Sequence, residues 1–473
     1  LGISIAISRL WLRFNIFAAG RIQVTRMGGE LAPRKVMPLA ISAAIIALTQ
    51  LAMLALAPAL ADEVTAPPLP IFLYVALAVL GGAAWFAALG PLERLPMRPL
   101  VLLGVFVFGL AIRLPWFTTP PVLDTDALRY LWDGALAAHG ISPWAAPPAA
   151  GVPPELGAAG AALLDRLPFT ELRSIYPATA QAAFLLAHWI MPWDVTGLRL
   201  VILGAELVTL PLMAAVQRQA GLPIMRVAIW WCCPLLPLVL TNAAHVDALL
   251  PPLVLGAVLL TLRGKGIAVG VLLGLAAGVK LWPVLLAPLF GRWLPRSAWL
   301  GALIAFGATT LLVLAPLLAT IAAPDAGLNA YARFWSVNNA PMAWAEAILG
   351  EDSGAILRPL LGLTGAAIAL AMAWPAPTDG RALLRGVLVI AAATFYLSPA
   401  QFPWYAVWFL PLAAVLGCRA LLLPAVLLPI YYLFFAFTGP VLRPIFAQGI
   451  AAIHLAGVVM MFGQNLIRRR AKS

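Results

Sequence analysis

Uninterrupted apolar runs constrain this chain more than any other feature. MPLAISAAIIALTQLAMLALAPAL (37–60) and WLGALIAFGATTLLVLAPLLATIAA (299–323) are each long enough to cross a hydrocarbon core of roughly 30 Å as a helix. Leu, Ala and Gly dominate, and the period-2 alternation of a membrane barrel is absent. The expected fold class is therefore an all-α polytopic membrane protein. Of the residues, 63% are hydrophobic and only 10% charged, against about 45–50% apolar in a soluble domain. Forty-two prolines foretell kinked and interrupted helices, which a membrane bundle tolerates because its neighbours re-satisfy freed backbone groups. Cys232, Cys233 and Cys418 lie in apolar surroundings and suggest neither a disulfide framework nor a metal site.

The formal charge of +12 is distributed as a membrane topology signal, which argues against a nucleic-acid partner. Arg9, Arg13, Arg21, Arg26, Arg34 and Lys35 precede the first span, and IRRRAKS ends the chain. The positive-inside pattern makes both termini cytoplasmic. The expected organisation is a basic segment (1–37), a single transmembrane domain (38–463) and a basic tail (464–473). Residues 1–26, which lead to Met27, offer no convincing signal-peptide cleavage site and read as an extended start or an interfacial helix.

Spans near 38–60, 70–90 and 100–118, with PLERLPMRP (91–99) as a cytoplasmic turn, put the segment 119–196 outside. Later basic turns at 216–226, 262–266, 291–296, 379–385 and 417–420 fix the parity. Only one of the apolar segments 176–192 and 197–216 can then cross, and the first, with Pro177, Gln181, His188 and Pro192, reads as a helix on the outer surface. GIAVGVLLGLAAGVKLWPVLLAPLFGR (266–292) is too long for one span and short for two, so it reads as a broken hairpin with Lys280 near its apex. The total is about 12–14 spans. No internal repeat stands out, which weakens a transporter reading.

Ionisable groups in such a chain are costly and point to function, although helix-end cations can snorkel. They converge on the outer face. The segment DTDALRYLWDG (124–134) carries Asp124, Asp126, Arg129 and Asp133; Arg173 and Tyr176 follow in the same loop. His245 and Asp247 lie at a span junction, and Lys280 points to the same level. NAYARFWSVNNAPMAW (329–344) adds Arg333, Asn338 and Asn339, and SPAQFPWYAVW (398–408) adds Gln401, Trp404 and Tyr405. Structural readings stand beside these: Asp133, before Gly134, also fits a helix cap, His245 a buried structural histidine, Lys280 a snorkelling lysine and Trp404 an interfacial anchor.

Outer carboxylates with cations at membrane depth suit a lipid-linked phosphate substrate. In glycosyl transfer the acceptor hydroxyl must lose a proton as it attacks the anomeric carbon, which is general-base work for a carboxylate. The departing phosphate needs cations rather than an acid. A flippase of lipid-linked sugars and a polymerase or ligase using polyprenyl-diphosphate glycans are the alternatives. The D-x-D pair could also hold Mg²⁺ or Mn²⁺, which a monophosphate donor does not require.

The order DTDALRYLWDG, GISPW, IYPATAQAAF, NAAHVDALL, GLAAGVKLWPVLLAP, NAYARFWSVNNAP and SPAQFPWYAVWFLP, over residues 100–410, resembles the bacterial polyprenyl-phosphate-mannose-dependent mannosyltransferases of glycosyltransferase family 87, in the GT-C superfamily. That resemblance implies a GT-C bundle whose large first extracytoplasmic loop carries juxtamembrane helices, in the bacterial inner membrane. It implies transfer of mannose, with inversion, from a polyprenyl-phosphate donor to a glycolipid or cell-envelope glycan. Asp126 would be the base and Asp124 its partner, while Lys280, His245 and Arg333 would attend the donor phosphate. Sugar or acceptor would meet Asp133, Arg129, Tyr176, Asp247, Asn338, Gln401, Trp404 and Tyr405. The chain departs from the family at PATA (177–180), where relatives often have a second proline, and at Trp144, where tyrosine is usual.

Overall fold

The structure is a computed structural model, and it describes residues 33–350, 353–437 and 449–460 apart from 451 and 458. The expectations for residues 1–32 and for the basic tail fall outside these. The chain is an all-α polytopic membrane protein. Among the described residues, eight helices are long and apolar enough to cross a membrane: Met37–Leu60, Pro68–Glu93, Pro99–Thr118, Val195–Gln219, Arg296–Leu318, Gly354–Ala373, Gly380–Leu397 and Arg419–Ala436. Three shorter apolar helices accompany them: Ala178–Ile190, Val246–Leu262 and Gly266–Ala277. Sequence hydropathy gives a larger count of 12–14, and much of the other apolar sequence forms short pieces. Within WCCPLLPLVLTNAAHVDAL, a π-helical turn (Pro237–Asn242) and a 3₁₀ turn (Val246–Leu249) replace regular helix. Proline's missing N–H and fixed φ break the ladder there, and irregular backbone at this depth is tolerated only inside protein or beside a cavity.

Helix starts follow local chemistry. Asp194 accepts a hydrogen bond from the Thr196 amide at 2.7 Å to cap Val195–Gln219, and Asp379 accepts from the Ala382 amide at 2.8 Å to cap Gly380–Leu397. Each satisfies an amide that the first turn would leave orphaned.

Segment 266–292 is interrupted as a helix: Gly266–Ala277 ends before Lys280, and the chain resumes through Trp282–Leu286 into Ala287–Trp293. Its first helix packs on Arg296–Leu318 through glycines spaced four apart. A Cβ on Gly266 would meet the Ala298 carbonyl oxygen at 2.6 Å, and one on Gly270 the Ala302 carbonyl oxygen at 2.4 Å. One helical face therefore lets the backbones touch, as small residues do between membrane helices.

The segment 176–192 forms the helix Ala178–Ile190, which lies against Asp126–Ala138. Gly134 sits at their crossing, where a Cβ would come within 2.5 Å of the Phe184 carbonyl oxygen. This corrects the cap reading of Asp133: the helix runs on to Ala138, and the glycine serves close approach, not termination.

Candidate active site

The two aspartates of D-x-D are set by a turn into the Asp126–Ala138 helix. Leu123 has φ +50°, and its amide donates to the Leu60 carbonyl at 3.0 Å. Asn242 holds the same turn from the other side, accepting from the Val122 amide (2.8 Å) and donating to the Pro120 carbonyl (2.8 Å). Three residues after Asn242, and one after Ala244 with φ +60°, the chain presents His245 to the aspartates. His245 Nε2 lies 2.9 Å from Asp124 Oδ2, and Nδ1 lies 3.8 Å from Asp126 Oδ2 and 3.4 Å from the Tyr130 hydroxyl. The irregular backbone at 237–249 thus places a histidine where a regular helix would not.

Asp124 and His245 are buried, while the Asp126 side chain is 41% exposed. Burial pushes the Asp124 carboxyl up to about 7. Burial and the neighbouring Asp124 carboxylate push Asp126 up to about 6. Burial pushes His245 down to about 4, and its Nε2 shares a hydrogen bond with Asp124.

Lys280 supplies a cation. Its Nζ lies 3.6 Å from Asp247 Oδ2 and 4.8 Å from the ring centroid of Tyr405, close enough for a cation–π contact. Asp247 is fully buried, and its Oδ1 accepts from Trp408 Nε1 at 2.8 Å. These groups adjoin a cavity of about 310 Å³ whose lining includes Asp124, Asp126, Arg129, Tyr176, Lys280, Trp404 and Tyr405. Aromatic side chains form much of the rest, among them Trp335, Phe402, Tyr431, Phe434 and Phe435. A larger gap of about 420 Å³, between segment 266–294 and Arg296–Leu318, is walled only by apolar side chains and glycine and offers no group for chemistry.

Other expected site residues stand elsewhere. Arg333 is exposed on the helix Gly327–Phe334 and does not line the cavity. Asp133 is fully buried and receives Arg129 Nε (3.0 Å), Gln181 Nε2 (2.8 Å) and the Ser174 hydroxyl. Its oxygens are thereby occupied in joining the first loop, with no face left for a sugar. Asn338 donates to the Gln401 carbonyl at 3.2 Å, and Gln401 to the Tyr396 carbonyl at 3.1 Å; the pair fastens an isolated bridge between Val337 and Ala400. Trp404 lines the cavity, yet both its faces are covered, by His245 at 3.7 Å and Phe402 at 4.4 Å between ring centroids. It grips the histidine and presents no free platform for a sugar.

The structure also brings in residues that the sequence leaves unassigned. Tyr130 reaches His245, and its place four residues after Asp126 puts it on the same helical face. Tyr331 meets the Tyr405 hydroxyl at 2.7 Å. Tyr431 lies in a wholly apolar run, with no local signal that it faces a cavity.

Among curated proteins, the chain is similar to alpha-(1->6)-mannopyranosyltransferase A of Mycobacterium tuberculosis. The two are 28% identical over 352 residues, which cover 64% of this chain and 63% of the relative, just under two thirds of its length. No family model matches the chain, and no solved structure does.

Proposed function

We propose that this protein is a membrane glycosyltransferase that moves a hexose, mannose by preference, from a polyprenyl-phosphate donor to a hydroxyl of a glycolipid or cell-envelope glycan. In this reading it sits in a bacterial inner membrane with cytoplasmic termini, and its cavity opens on the extracytoplasmic face. One observation carries it: Asp126 stands half-open at the cavity, with Asp124 and His245 behind it and Lys280 on the same cavity wall. The similarity to a mannosyltransferase supports the choice of sugar.

The chemistry is a single displacement. The acceptor oxygen attacks the anomeric carbon from the side opposite the phosphate, so the new bond has inverted configuration. Asp126 takes the hydroxyl proton as the C–O bond forms. The bond to the phosphate breaks with its electron pair on the phosphate oxygen, whose added charge the Lys280 ammonium offsets. Tyr405 and Asp247 hold that ammonium at the wall.

The test is transfer from radiolabelled polyprenyl-phosphate-mannose into a membrane lipid extract by purified protein. Transfer is expected from the wild type and not from Asp126→Asn. Equal transfer by both would remove Asp126 as the base. If the wild type uses no monophosphate donor, the flippase or the diphosphate-dependent polymerase becomes the better account.

A further inference from the structure

We infer that Asp124, Asp126 and His245 form a divalent-cation site, of the kind that takes Mn²⁺ or Mg²⁺, with open coordination positions toward the cavity. One ligand atom from each of the three residues can be chosen so that all lie within 4.8 Å of one another. Neighbouring ligands around a cation with bonds of about 2.1 Å sit about 3.0 Å apart, and opposite ones about 4.2 Å. The 2.9 Å between His245 Nε2 and Asp124 Oδ2 matches the shorter spacing, and drawing the widest pair, up to 4.8 Å apart, in to about 4.2 Å would complete the set.

Two carboxylates in a loop would not make a site. The imidazole is the independent sign, because it comes from a segment 121 positions away, is fully buried and is held flat by Trp404. Nε2 faces Asp124, while Nδ1 lies 3.8 Å from Asp126 Oδ2 and 3.4 Å from the Tyr130 hydroxyl, and ligating histidines typically anchor their second nitrogen on such a partner. Charge points the same way. Asp124, Asp126 and Asp247 stand close together, and the lysine beside them is paired with Asp247. One nitrogen and two carboxylate oxygens suit Mn²⁺ or Mg²⁺ better than a soft metal. Asp126, half-exposed, leaves the ion open on the cavity side, where a phosphate oxygen of the donor would complete its shell; that last role rests on the transfer reading, whereas the binding does not.

The experiment uses the full chain in detergent, stripped with chelator and titrated with Mn²⁺ without any sugar substrate. One ion per chain is expected, with nitrogen coupling from an imidazole in its pulsed EPR spectrum. His245→Gln should abolish that coupling. Asp126→Asn, on a side chain open enough to change without unfolding the protein, should weaken binding at least tenfold, and Arg333→Gln should leave it unchanged. Absence of a bound ion in the wild type, a spectrum without nitrogen coupling, or equal binding by Asp126→Asn would overturn the site. Because no donor is present, these results are independent of whether hexose is transferred. Transfer that is lost on chelation and returns with Mn²⁺ would support the donor role, and an undiminished rate in chelator would overturn it.

Discussion

Two of the charge groups inside this apolar chain are built in opposite ways. Arg113 and Glu206 are both fully buried, and each guanidinium nitrogen is hydrogen-bonded. Nε and Nη2 donate to the Glu206 carboxylate, the latter at 2.8 Å, while Nη1 donates to the Gly109 and Trp231 carbonyls. The guanidinium carbon also lies 3.9 Å from the Trp231 ring centroid. In the cavity group, by contrast, Lys280 stands 3.6 Å from Asp247, Asp247 Oδ2 lacks a hydrogen bond, and Asp126 is open. Charge is costly in both places. The closed pair spends its interactions on joining Pro99–Thr118 to Val195–Gln219, whereas the open group keeps bonding capacity for something that enters.

The largest expected effect tests the open group. Asp126→Asn should reduce transfer by about 10²–10⁴-fold, the range of a general base, and leave the thermal melting temperature in detergent close to wild type. A small loss of transfer would place Asp126 with the structural charges. Next comes the closed pair: Arg113→Met leaves a buried carboxylate unpaired and should cost about 3–5 kcal/mol, read as a lower melting temperature. Adding Glu206→Leu should recover most of it, and folded double mutant should transfer hexose at nearly the wild-type rate. If the double mutant folds but is inactive, the division between closed and open groups fails.

Trp404→Leu probes the seam between fold and site. Losing the stack on His245 is worth about 0.5–1.5 kcal/mol beyond area, so transfer should drop by up to about tenfold with the fold intact. Arg333→Gln should do least: an exposed side chain outside the cavity is worth within about 0.5 kcal/mol, and kcat/KM should shift by less than about twofold. A large rise in donor KM would return Arg333 to the phosphate.

The same contrast explains what could be read in advance. Asp124, Asp126, His245, Lys280 and Asp247 stand out in the sequence because a lipid-facing helix has no use for them, and the structure gathers all five. Arg113 and Glu206 carry the same signal of cost, but neither belongs to a polar motif, and their pairing is invisible until two helices are packed. Trp404 has the opposite history. An aromatic beside a cavity suggests a sugar platform, and only the packing of His245 and Phe402 on its two faces removes that option.

By itself, the sequence determined the material: apolar runs of spanning length, prolines that break them, glycines spaced to let helices touch, and costly acids and bases in a few segments. These follow from local properties, since hydropathy, φ restriction and side-chain size belong to each residue wherever the chain goes. Tertiary structure alone decided which charges are closed and which are open. That depends on distances between side chains more than a hundred positions apart, and on an irregular turn at 237–249 that sets His245 beside Asp124 rather than in the lipid.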